Sequence, residues 1–156
     1  VTIEGDAKAR TLELFERWYT AHEARDTAAL AAALAEDAQI HSLFRREPVL
    51  GRAAAVTHFL SVNATFSDLA MSLACAPAPY ADRVLVEVEF SGAFTGELTW
   101  NEESKRGAGQ RFRVPGVAVV RTGQDAVWSV STFFNRDDWL TQIGFDAGTQ
   151  SATARS

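Results

Sequence analysis

Residues Arg83–Thr95 alternate in character. Val84, Val86, Val88 and Phe90 fall on one side of an extended chain, and Leu85, Glu87, Glu89 and Ser91 on the other. Successive side chains of a strand point to opposite faces, so this run reads as a long strand with one apolar face to bury. That pattern belongs to an antiparallel sheet covered on one side. Arg111–Thr122 and Ala126–Phe134 read as a hairpin across Gly123-Gln124-Asp125. Leu69, Met71, Leu73 and Cys75 alternate in an earlier strand that Pro77 and Pro79 end. A sheet of this kind needs a cover for its apolar face.

The first half of the chain supplies the cover. Asp6–Arg25 reads as a helix with Leu14, Phe15, Trp18, Tyr19 and His22 on one broad face. Asp26 is placed to cap a short Ala-rich helix, Thr27–Leu34, because its carboxylate can accept free backbone N–H groups. Ala38–Phe44 reads as a short strand, and Glu47-Pro48 with Gly51 as a loop. Arg52–Phe66 reads as a third helix with Val56, Phe59, Leu60 and Asn63 on one side. The polar stretch Asn101–Gln110, with its two glycines, reads as a loop. A last helix, Asp137–Ile143, ends at Gly144, a good residue for closing a helix. The order gives an α+β fold: a curved antiparallel sheet wrapped over three N-terminal helices, a half-open cone with an interior pocket. One domain over residues 1–146 and a flexible tail over 147–156 are expected.

Composition narrows the function classes. The chain has 156 residues, 47% hydrophobic and 22% charged, which suits one globular domain. Its net charge of −5 argues against a nucleic-acid partner. No run approaches the about 18 apolar residues of a spanning helix, so no membrane partner is expected. Cys75 is the one cysteine, so no internal disulfide can form and a reducing, cytoplasmic setting is expected. Val1–Asp6 has neither the basic head nor the apolar stretch of a signal peptide. Three histidines and a cysteine at scattered positions give no metal-ligand spacing, so neither a metal nor another cofactor is expected. Four Trp, two Tyr and ten Phe are enough to fill or line a substantial interior.

Several segments carry a resemblance. Arg25-Asp26-Thr27-Ala28-Ala29-Leu30, then Leu34-Ala35-Glu36-Asp37-Ala38, resembles the opening of the SnoaL-like polyketide cyclases of the nuclear-transport-factor-2-like superfamily, which includes ketosteroid isomerase and limonene epoxide hydrolase. Gly51-Arg52-Ala53-Ala54-Ala55-Val56 with Phe59-Leu60 resembles that family's third helix, and Phe66-Ser67-Asp68 its junction into the sheet. Ser91-Gly92-Ala93-Phe94-Thr95-Gly96-Glu97 is similar to its "G-T-H-T-G-E" segment. Phe133-Phe134-Asn135 through Trp139-Leu140-Thr141-Gln142-Ile143-Gly144 looks like its "Y-F-D…L-x-Q-L-G" ending. The matches run in order over roughly residues 8–144. The resemblance implies the cone-shaped fold and a homodimer formed through the open sheet face.

It also implies a chemistry. Ring-closing and isomerising members need a base for an acidic C–H proton and a donor for the enolate oxygen. Aligned without gaps, the cyclase Asp falls on Thr132 and the His (an Asp donor in the isomerase) on Ala118. The isomerase's Asp base falls on Ser42 and its Tyr donor on Trp18. All four positions depart from the family pattern, and Thr and Ser are poor bases at neutral pH. Asn135 stands for the second Asp of the terminal motif and can still hydrogen-bond.

The residues that can replace this machinery are His41, His58 and Glu87. An imidazole titrates near neutrality and can serve as acid or base. Strand parity sends His41 away from the pocket if Ser42 faces it, and leaves a structural or surface histidine as the other reading. His58 neighbours Phe59 on the third helix, where a packed histidine is the alternative. His22 reads as a capping or core residue. Glu87 and Glu89 suit a solvated sheet face, with Arg113 as a cross-strand partner. The family often carries Arg at the place of Glu87, and a carboxylate facing an aromatic pocket could act as a base. Trp18, Tyr19, Phe59 and Phe90, with Phe112, Trp128 and Phe134, are the expected interior aromatics. They fill a core or line a cavity for a polycyclic or polyene ligand. Trp100 precedes the polar loop and suits a lid at the pocket mouth. Three functions stay open: a cyclase or isomerase of secondary metabolism acting on a hydrophobic polyketide-like molecule, a non-catalytic binder of a small molecule or protein, and a subunit of a larger oxygenase.

Overall fold

Helix α1 spans Thr2–Glu23 and buries Leu14, Phe15, Trp18 and Ala21 along one side. The computed structural model describes residues 2–145, so the expected tail over 147–156 lies outside the described residues. Arg25, at a left-handed φ of 55°, turns the chain into α2 (Thr27–Ala33). Asp26 caps α2, accepting the Ala29 N–H at 3.0 Å. Strand β1 (Leu34–His41) follows without a loop. It starts and ends earlier than the sequence pattern suggests. Ser42 Oγ accepts the Phe44 N–H at 3.2 Å, and this local turn stops the strand at His41. A return strand, β2 (Val49–Leu50), leads to Gly51 at φ 95° and into α3 (Arg52–Thr65).

The remaining strands are β3 (Phe66–Leu73), β4 (Ala78–Tyr80), β5 (Arg83–Phe94), β6 (Glu97–Trp100), β7 (Glu103–Arg106), β8 (Gln110–Thr122) and β9 (Val127–Phe134). The main sheet has the order β2-β1-β9-β8-β5-β3, with β4 also paired to β5. Its neighbours are antiparallel except β1 and β9, which run parallel with Ile40 opposite Val130. The sheet is curved and unclosed. The alternation along β5 is realised: Val84, Val86 and Val88 are buried under the helices, while Leu85 and Glu87 are exposed.

Residues 101–110 are not a plain loop. Asn101 and Glu102, at φ 48° and 67°, form a two-residue turn that joins β6 and β7 in a separate hairpin. Leu98 and Trp100 alternate with Glu97 and Thr99 and pack against the far core, whereas Glu103–Arg106 is polar throughout, so only one short arm of the hairpin carries an apolar pattern.

Two apolar cores share the inner face of the sheet. One lies under α1–α3, around Phe15, Trp18, Leu34, Phe59 and Val86. The other lies at the far end, around Phe66, Phe94, Phe112 and Trp139, and α4 (Arg136–Gln142) closes it. Asn135 caps α4 by accepting the Asp138 N–H at 3.0 Å, and Gly144 at φ 95° ends it. Phe134 packs against both cores.

The edge strand β3 is fastened by the end of α1. At Met71, the Tyr19 hydroxyl donates to the carbonyl at 2.7 Å and Glu23 Oε1 accepts the N–H at 3.1 Å. Just beyond α1, Arg25 donates to the Leu69 carbonyl at 2.8 Å. These bonds occupy backbone groups that an edge strand otherwise leaves open.

Candidate functional site

A cavity of about 90 Å³ opens at the seam between the two cores. Pockets for whole drug-sized ligands start near about 300 Å³, so without side-chain movement this one takes a single ring or a short chain. Its walls come from the core-facing side of each element. α1 gives Trp18 and His22; β1 and the loop after it give Ile40, His41, Ser42, Leu43 and Phe44. α3 gives His58, Phe59, Val62 and Asn63, and the sheet gives Met71, Phe90, Thr132 and Phe134. Phe44, His58 and Val62 also border a wider, more open groove of about 410 Å³ on the outer side of α3. They form the partition between the two spaces.

The loop that carries Ser42–Phe44 is held from outside. Arg136 donates to the carbonyls of Leu43 and Arg45, each at 3.0 Å. Its guanidinium and that of Arg46 each lie 5.1 Å from the ring centre of Trp100. Trp100, expected as a lid, instead stacks between these cations and meets Trp139 edge-on, bracing the loop that walls the cavity.

The polar groups on the wall differ in what they can do. Burial, and then the charge of Arg45, pushes the His58 pKa down to about 4. His58 is therefore uncharged at neutral pH, and its ring makes no hydrogen bond to another described residue. Thr132 donates its hydroxyl to the His41 carbonyl at 3.3 Å, which ties up its proton. Asn63 donates to the Phe59 carbonyl at 2.8 Å and accepts from Arg25 at 3.0 Å. His41 and Ser42 both line the cavity, because the strand ends between them and parity no longer separates them. His41 is exposed at the rim.

His22 is the residue that sequence reasoning passed over. Its ring packs between Trp18 and Phe59, with both centres 5.1 Å away, and it lines the cavity. Nδ1 lies 2.9 Å from Glu23 Oε2. The signal was present, since His22 sits one turn after Trp18 on the apolar face of α1.

Of the residues expected at the site, the structure brings Trp18, His41, His58, Phe59, Phe90, Thr132 and Phe134 to the cavity. It sends the others elsewhere. Glu87 is exposed on the outer face of β5, as the strand's alternation requires, so no apolar wall surrounds its carboxylate. Glu89 pairs with Arg113 at 3.4 Å. Tyr19 stacks on Phe15 and is spent on Met71, with burial and the Glu23 charge pushing its phenol pKa up. Phe112 belongs to the far core, and Asn135 is the α4 cap. Trp128 stands beside the Gly123 turn, at the opposite end of β9 from Phe134. Ala118 is fully buried, directly opposite Thr132 in an unbroken register from Gly116–Phe134 to Arg121–Ser129. Among the described residues, no group of three His, Cys, Asp or Glu side chains could hold a metal ion.

Comparison with known proteins bears on this arrangement. The family model of the SnoaL-like domain matches residues 15–130. No curated protein sequence matches the chain significantly. Among solved structures, a candidate polyketide cyclase from Xanthomonas campestris pv. campestris is 23% identical with a TM-score of 0.69, over 88% of this chain and 99% of that one. A candidate SnoaL-like polyketide cyclase from Jannaschia sp. CCS1 is 18% identical with a TM-score of 0.72, over 88% and 93% of the two chains. A Catenulispora acidiphila protein with a ketosteroid isomerase-like fold, solved with trimethylamine, is 19% identical with a TM-score of 0.69, over 86% and 95%. At these identities the likeness is one of fold.

Proposed function

The chain belongs to the SnoaL-like domain family, and from that premise we propose that it is an enzyme of secondary metabolism that cyclises or isomerises a hydrophobic, polyketide-like small molecule. The observation that carries this reading is the cavity itself. Aromatic and aliphatic side chains make most of its wall, and His22, His41, Ser42, His58, Asn63 and Thr132 bring polar groups to it. One ring of the substrate enters, and the rest lies along the mouth. The cyclase Asp and His positions are Thr132 and Ala118, so proton transfer falls to other residues. His41 and His58 are the members of the expected set that remain in reach.

A naphthyl β-diketone incubated with the protein tests the reading. The expected result is a ring-closed or isomerised product by mass spectrometry, at a rate above buffer, together with partial quenching of tryptophan fluorescence that is lost in Trp18→Phe. Quenching with full recovery of the diketone favours a second reading, a non-catalytic small-molecule binder. The Ala118–Thr132 pair, which offers no acid or base, supports that alternative. Neither product nor quenching overturns both.

We also propose a cytoplasmic homodimer that pairs through the outer sheet face. Leu85, Val117 and Phe133 are exposed there, and Val117 lies opposite Phe133. Cys75 is free and exposed, and no described helix is long and apolar enough to cross a membrane. Light scattering is expected to give twice the chain mass, falling to the monomer in Phe133→Glu. A monomeric parent protein would overturn the pairing.

A further inference from the structure

On the sheet wall of the cavity, the two positions aligned with the cyclase pair have no base to offer, and His41 sits exposed at the rim. Thr132 gives its proton to a carbonyl, and the residue opposite it is Ala118. The helix wall is different. Adjacent residues on a helix do not normally face each other, yet His22 and Glu23 converge to 2.9 Å. Both oxygens of Glu23 are committed. Oε1 accepts the Met71 N–H at 3.1 Å, and Oε2 meets His22 Nδ1. The carboxylate is thus pinned to the sheet at one end and to the imidazole at the other.

This fixes the chemistry of the ring. A carboxylate only accepts, so neutral His22 carries its proton on Nδ1 and leaves the lone pair on Nε2. Nε2 has no protein partner among the described residues. Trp18 on one side and Phe59 on the other hold the ring in place on the cavity wall. A nucleophile or base that is oriented by a third group is the usual architecture of proton-transfer sites.

We infer that His22 Nε2 is the base of this cavity, oriented by Glu23, and that it removes a proton from the carbon beside the carbonyl of a cyclic or aryl ketone. The acid–base work has moved from the sheet to the first helix. This rests on the enzymatic reading above and names the residue and the substrate class for it. The step balances without an oxidant or a co-reactant. The C–H bond breaks, its proton forms the Nε2–H bond, and its electron pair becomes the enolate. The imidazolium then returns the proton to another carbon, giving an isomer, or to the alkoxide formed when the enolate carbon closes a ring. The imidazolium is stabilised by Glu23 while it lasts. His58, uncharged on the same wall, has an N–H free to hold the enolate oxygen. Glu23 acts through His22 and is a positioning residue.

The test uses 2-tetralone in D₂O, with α-proton exchange followed by NMR. General-base catalysis typically contributes about 10²–10⁴-fold, so His22→Gln is expected to lower kcat by about 10²-fold or more, with little change in KM. Glu23→Gln keeps an oxygen for Met71 and loses the acceptor for Nδ1–H, so kcat falls while KM holds. Ring ¹⁵N shifts of the unmodified protein are expected to show the Nδ1–H form of His22, and a mixture of forms in Glu23→Gln. Exchange that survives His22→Gln but is lost in His41→Gln or His58→Gln overturns the assignment and leaves the enzymatic reading standing. So does an Nε2–H form of His22 in the unmodified protein, a measurement that needs no variant to fold. No exchange above buffer by the unmodified protein overturns the ketone chemistry and the enzymatic reading with it.

Discussion

His58 shows how one residue ties the site to stability. In the folded chain it stays neutral down to about pH 4, whereas its ordinary value is 6.5. The unfolded chain therefore binds more protons between those values. Stability rises with pH through that window, and it is lost as pH falls through it. The melting temperature is expected to drop between pH 7 and pH 4.5, and the drop should be smaller in His58→Gln, where the titrating group is gone. Equal drops in the two proteins would mean that other groups set the acid sensitivity. At the level of single residues the sequence was an uneven guide. Trp18, Phe59, Phe90 and Phe134 were legible as interior aromatics because apolar periodicity marks an inward face. Tyr19 and Phe112 carry the same mark but serve packing, since periodicity tells inside from outside and not cavity from core. His22 bore a polar name on an apolar face, and only its pairing with Glu23, itself held by the Met71 N–H, separates it from a core histidine.

Among the elements, the helix ends followed their capping chemistry. Asp26, Asn135 and Gly144 sit where their side chains or backbone freedom end or begin a helix. Asp26→Ala is expected to cost about 1 kcal/mol in urea unfolding, and a shift under a few tenths would show that the bond to Ala29 contributes nothing. The β6–β7 hairpin was illegible for a physical reason. Its first arm alternates over only four residues, its second arm is polar throughout, and the turn between them runs through Asn101 and Glu102, both in the left-handed region. That hairpin matters because Trp100 stands on it, stacked between Arg46 and Arg136. Arg136→Ala removes two hydrogen bonds to the Ser42–Pro48 loop and one face of that stack. Trypsin is expected to cut after Arg45 or Arg46 several-fold faster in this variant. An unchanged cleavage rate would show that Phe44 packing alone holds the loop.

Across the whole molecule, the cavity lies where the curved sheet passes from the core under α1–α3 to the core that α4 closes. The cone and its pocket were readable from element order, since a one-sided sheet preceded by helices has few ways to close. The parallel β1–β9 contact was not readable, for it joins residues about ninety positions apart. Nor was the small size of the cavity, which depends on where Phe44 lies. Phe44 separates the inner space of about 90 Å³ from the outer groove of about 410 Å³. Phe44→Ala is expected to join them and to raise the fluorescence of bound anilinonaphthalene sulfonate several-fold. No increase would mean that Val62 and His58 keep the partition closed.

The fastening of α1 to β3 reaches beyond the cavity. A sheet edge with open N–H and C=O groups is a template on which another chain can add a strand. At Met71 that template is covered by Tyr19 and Glu23, and at Leu69 by Arg25. A chain that loosened this one turn of helix to make its site more mobile would also bare the hem of its sheet to polymerisation. Loosening the pocket at this turn would therefore carry a risk of fibres.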